Sequence, residues 1–107
     1  RMVDFKIGKA RASGKLRMNG KRIYTQEIKI NRHATYNDVK RAVEKIRNKL
    51  RQDKPNAQMQ VVLQYDSQTK PIAASFFAVT GDIKMHAPYD YNDDDEPITM
   101  LWINYVL

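Results

Sequence analysis

Apolar residues recur at every second position near the start of the chain. Val3, Phe5 and Ile7 alternate with Asp4 and Lys6, the pattern of a strand with one buried face. Leu16 and Met18 then alternate with Lys15 and Arg17 up to the dipeptide Asn19-Gly20. Asn-Gly is the favoured pair for a two-residue type I′ turn, because both central residues need positive φ. The return arm puts Tyr24, Ile28 and Ile30 on one face and Thr25, Glu27 and Lys29 on the other. This predicts a β-hairpin with a basic tip, and Gly8 and Gly14 bracket a stretch where the first arm bends or bulges.

The period changes after residue 34. Val39, Ala42, Val43, Ile46 and Leu50 fall at helical spacing and make one apolar stripe. Thr35 is a good N-cap, and Asp38 three residues on gives a capping-box-like signal at the positive end of the helix dipole. Pro55-Asn56 closes the element, so a helix is predicted over about residues 36–53.

Period two then returns. Met59, Val61, Leu63 and Tyr65 alternate with Gln60, Gln64 and Asp66, and Asp66-Ser67-Gln68 reads as a turn. Ile72–Val79 is apolar on both faces and reads as a central strand. Gly81-Asp82 is a turn signal before a short Ile83–Met85 segment. Residues 87–97, with their prolines and acids, read as a loop. Ile98–Leu107 is again apolar on both faces and needs cover on both sides from helix, sheet or a second subunit. The expected fold is a single α+β domain, 1–107, in strands–helix–strands order. Its one amphipathic helix packs on a mostly antiparallel sheet of five or more strands.

A chain of 107 residues, 42% apolar, can bury a core without staples. It has no cysteine, which excludes disulfides and thiolate metal sites. No apolar run approaches the roughly 20 residues of a membrane span, and no signal-peptide pattern opens the chain. The expectation is a soluble intracellular protein, cytoplasmic or nuclear, acting in the host cell if a virus encodes it.

Charge changes the picture most. The first 54 residues carry 17 Lys/Arg and 5 Asp/Glu, a balance of 17 − 5 = +12. The remaining 53 carry 2 and 7, a balance of −5, and the two recover the net +7. Such concentrated positive charge points to a polyanionic partner, nucleic acid first. On the helix, Arg41, Lys45 and Lys49 run down one flank and Lys40, Arg47 and Arg51 down the other, with Glu44 the nearby counter-charge. Like charges one turn apart repel, and a polyanion relieves that repulsion. Lys15, Arg17, Lys21 and Arg22 cluster at the hairpin tip. The candidate nucleic-acid-binding residues are therefore Lys15, Arg17, Lys21, Arg22, Lys40, Arg41, Lys45, Arg47 and Arg51.

Other chemistry is thin. Tyr24, Tyr36 and Tyr65 offer stacking platforms for single strands, although each sits where its element faces inward. Asp90, Asn92, Asp94 and Glu96 alternate like EF-hand oxygens, but Asp95 stands at the sixth position, where glycine is required, and Leu101 at the twelfth. Ser13-Gly14-Lys15 lacks both the spacing and the hydroxyl of a phosphate-binding loop. His33 and His86 lie far apart, and no serine sits in a nucleophile elbow. No RNA-recognition signature, G-x-x-G loop or zinc-finger spacing is present.

The expectation is a small non-enzymatic nucleic-acid-binding protein with no cofactor, metal, membrane or small-molecule substrate. Its size and charge suit genome packaging, replication or regulation in a virus or mobile element. The alternative is a protein-interaction or assembly module: an inhibitor, adaptor or structural virion subunit. Such a module would turn its basic face on an acidic partner or associate with itself as a homo-oligomer.

Overall fold

The Asn19-Gly20 turn sets the first register. In the computed structural model, which describes residues 5–7, 9–86 and 96–107, Asn19 and Gly20 take φ of 52° and 78°. They join β2 (Arg11–Met18) to β3 (Lys21–Ala34) as antiparallel neighbours, with Met18 opposite Lys21 and Arg17 opposite Arg22. The bend expected near Gly14 is a bulge in which residues 13–16 face Ile23 alone. The short β1 (Phe5–Ile7) lies against the far half of the same edge of β3, with Ile7 opposite Ile28. Val3 and Asp4 of the expected first strand lie outside the described residues.

Helix α1 spans Tyr36–Asp53, as its periodicity predicts. Its start is a reciprocal box: Asp38 N–H donates to Thr35 Oγ1 at 3.3 Å, and Thr35 N–H donates to Asp38 Oδ2 at 3.0 Å. Val39 and Val43 are fully buried, and Ile46 and Leu50 pack against the core beside them.

The second half supplies β4 (Gln58–Tyr65), β5 (Ile72–Ala73), β6 (Phe77–Ala78) and β7 (Ile98–Val106). All pairings are antiparallel, in the order β1-β3-β7-β4-β5, with β2 also beside β3 and β6 also beside β4. The last strand is thus the central one, and the fold is α+β with strands on both sides of the helix in sequence. One sequence expectation is corrected. Ile72–Val79 is an edge, not a central strand. It is split into two short pieces, because Ile72, Ala73, Phe77 and Ala78 pair with Leu63, Val62, Met59 and Gln58, leaving residues 74–76 opposite Gln60 and Val61. Its two-sided apolarity is mostly small: Ala73 and Ala78 are exposed, and only Phe77 and Val79 are buried.

Strand β7 is covered on one face by the core beneath the helix. Leu101, Ile103 and Tyr105 align with Ile28, Gln26 and Tyr24 of β3 and with Leu63, Val61 and Met59 of β4. This face meets the helix, and burying each large side chain there contributes roughly 1.5–3 kcal/mol. Ile83 and Met85 pack against the same core from the segment after β6. Among the described residues no helix lies on the opposite face, where Met100 is 39% exposed and Trp102 partly buried. A polar row crosses that face instead: Thr25 Oγ1 donates to Asn104 Oδ1 (2.6 Å), and Asn104 Nδ2 donates to Gln60 Oε1 (2.9 Å). Among the described residues no helix is long and apolar enough to cross a membrane.

Candidate functional site

The helix returns along the sheet after β3, so its C-terminal half comes to lie at the end that carries the hairpin. There the two layers do not close. Ile46, Lys49, Leu50 and Asp53 of α1 face Tyr24 and Gln26 of β3 and Tyr105 of β7 across a cleft of about 500 Å³, which Ala10 and Leu107 also line. Tyr24 and Tyr105 are cross-strand neighbours and give the cleft an aromatic floor. Tyr105 is 6% exposed, and its hydroxyl donates to Gln26 Oε1. Burial raises the Tyr105 phenol above its ordinary pKa, so it stays a neutral donor.

Cations neighbour the cleft-lining residues in sequence and register. Arg22 lies two residues before Tyr24 in β3 and therefore on the same face of the sheet, with Arg17 directly opposite it. Opposed residues of antiparallel strands have Cα atoms about 5 Å apart, so the two side chains start as neighbours on one face. Arg17 Nη1 donates to Gly20 O at 3.4 Å within the turn. Arg17, Lys21 and Arg22 are all exposed. Lys49 contributes from the helix wall, and exposed Lys45 sits one turn before it. Among the described residues, none of Arg17, Arg22, Lys45 and Lys49 meets a carboxylate.

The remaining candidates are distributed differently. Lys15 belongs to the bulge of β2, and its side chain lies outside the described part of the structure. The same bulge holds Ser13-Gly14-Lys15, with no helix following as a phosphate-binding loop requires. Lys40 and Arg51 are exposed on the flank that also carries Arg47. Arg47 itself is partly buried and ties α1 to the segment after β6, its Nη1 donating to Gly81 O at 3.0 Å. Arg41 pairs with Asp38 at 2.6 Å, so part of its charge is met within the chain. The structure therefore gathers the hairpin and the Lys45 flank, and leaves Lys40, Arg47 and Arg51 on the side of β4 and β6.

Of the tyrosines, Tyr65 is 1% exposed and Tyr36 packs against the core, while Tyr24 does both jobs: it touches the core and lines the cleft. Of the acidic segment, Asp90 to Asp95 lie outside the described residues, and Glu96 accepts a hydrogen bond from the Ser67 N–H at 3.2 Å. Lys49 and Asp53 were not among the candidates read from the sequence. Their signal was the four-residue spacing from Lys45 to Lys49 to Asp53, which places all three along the flank that borders the cleft. No protein-family model matches the chain, and no curated protein or solved structure matches it.

Proposed function

We propose that the protein binds nucleic acid without acting on it chemically, holding the phosphate backbone with the hairpin and the adjoining flank of α1. The observation that carries this reading is the opposed, exposed pair Arg17–Arg22 beside cleft-lining Tyr24 in sequence, with Lys49 on the cleft wall and exposed Lys45 one turn before it. Like charges directly opposite one another on a sheet are destabilising, and four cations without carboxylate partners compound the repulsion. A phosphate backbone reverses that cost and gains counterion release for each charge neutralised. Contacts of this type fix position and leave sequence unread, so low sequence specificity is expected. Lys21, Lys40 and Arg51 extend the positive field around the grip.

Fluorescence anisotropy with labelled single- and double-stranded DNA and RNA across a salt series tests the reading. Binding at about 50 mM salt that weakens steeply as salt rises is the expected result. No binding at low salt rejects it, and binding insensitive to salt rejects the phosphate grip.

A second reading, self-assembly, draws on the helix-free face of the sheet, where Met100 is 39% exposed beside Trp102. A second copy seated there would cover both. Light scattering at high concentration decides this: a dimer that Met100→Lys dissolves supports it, and a monomer removes it.

A further inference from the structure

The cleft between α1 and the hairpin end of the sheet has a chemistry that phosphate contacts leave unused. Its volume, about 500 Å³, falls in the range of small-ligand sites. Its walls are Ile46 and Leu50 on one side and the Tyr24 and Tyr105 rings on the other. Apolar and aromatic surface of this kind gains nothing from a phosphate, which is strongly hydrated. Asp53 lines the same cleft and its carboxylate disfavours an anion beside it, while Lys49 on the wall and the exposed pair Arg17–Arg22, next to Tyr24 in β3, offer cations to one. The site thus separates a ligand into two parts: an anionic chain kept outside, and a flat, uncharged group with polar edges drawn in.

Resting on the nucleic-acid reading above, we infer that the cleft seats one unstacked base of a single strand against Tyr24, while the flanking phosphates lie on Arg17, Arg22 and Lys49. Every base has an aromatic face, so stacking on tyrosine tolerates any sequence. Asp53 adds a preference at the edge, because a carboxylate accepts a hydrogen bond from the exocyclic amine of cytosine, at the position where thymine carries a carbonyl oxygen. A duplex keeps its bases paired and stacked, so it reaches the exposed cations and misses the cleft.

The test compares three ligands of one length on the wild-type chain by anisotropy: a mixed single strand, a sugar-phosphate strand without bases, and a duplex. The single strand should bind roughly tenfold tighter than the abasic strand, the usual worth of one base–aromatic stack. Tyr24→Leu, which keeps an apolar side chain at the core edge, should bring the single strand down to the abasic level and leave abasic binding unchanged. Asp53→Asn, on an exposed last-turn position, should lower the ratio of oligocytidine to oligothymidine affinity. Equal binding of the normal and abasic strands overturns the base seat while the phosphate grip stands. Failure of all three ligands to bind overturns both. The ligand comparison needs no variant, so it decides the matter even if Tyr24→Leu does not fold.

Discussion

Tyr105 shows how one residue serves both the fold and the cleft. Its ring closes the core between Tyr24 and Met59, and its hydroxyl reaches Gln26 at the cleft floor. Burial disfavours the phenolate, so the folded-state pKa lies above the ordinary 10.0 of the unfolded chain. The sign follows from linkage. Below pH 10 the group is neutral in both states and stability does not depend on it; as pH rises above 10 the unfolded state loses its proton first, and stability falls by up to about 1.4 kcal/mol per pH unit. Tyr105→Phe removes that dependence, at a cost near neutral pH of about 1 kcal/mol for the lost hydrogen bond. Chemical denaturation of both forms between pH 8 and about 11 checks it. The two stability curves should converge in alkali, and parallel curves would contradict the buried-phenol account. Arg47 is the opposite case, a cation the sequence offers to a partner and the fold uses as a strut to Gly81 O.

At the scale of elements, legibility followed locality. Helix α1 was readable to its ends because its signals are local: a stripe at helical spacing, and a Thr35–Asp38 box that the structure closes in both directions. The hairpin was equally plain, since only Asn19 and Gly20 need positive φ there. The order of the later strands was not. Ile72–Val79 and Ile98–Leu107 look alike in sequence, and what makes the second central is its pairing with β3, with Gln26 opposite Ile103. Such contacts span most of the chain and leave no local trace. The cleft was hidden for the same reason, although its cations were visible. Its walls come from α1, β3 and β7, and only their docking shows which of the two helix flanks borders the cleft. The hairpin carries its own prediction. Opposed Arg17 and Arg22 repel, so Arg22→Thr, a residue suited to strands, should raise stability by about 0.2–1 kcal/mol while weakening nucleic-acid binding. Denaturation midpoints and anisotropy on the same sample read both effects. A variant that loses stability would show that the pair is held by something other than an absent anion.

Across the whole molecule, the surplus of the first 54 residues lies on more than one surface, and net charge alone does not identify the one that binds. If Arg17, Arg22, Lys45 and Lys49 each neutralise one phosphate of a single strand, the logarithm of affinity should fall against the logarithm of salt with a slope of about −3. Removing two of them, as Arg22→Ala with Lys49→Ala, should bring the slope to about −1.4. Lys40→Ala with Arg51→Ala removes the same charge from the flank that carries Arg47. It lowers the long-range attraction, which salt screens beyond about 10 Å, and should leave the slope near its original value. Anisotropy titrations of the three proteins at four salt concentrations supply the comparison. Equal reductions in both double variants would mean that binding follows total charge and that the cleft end has no special part in it. A reduction confined to the Arg22 and Lys49 pair places the polyanion at the hairpin and the helix wall of the cleft, where those two cations stand.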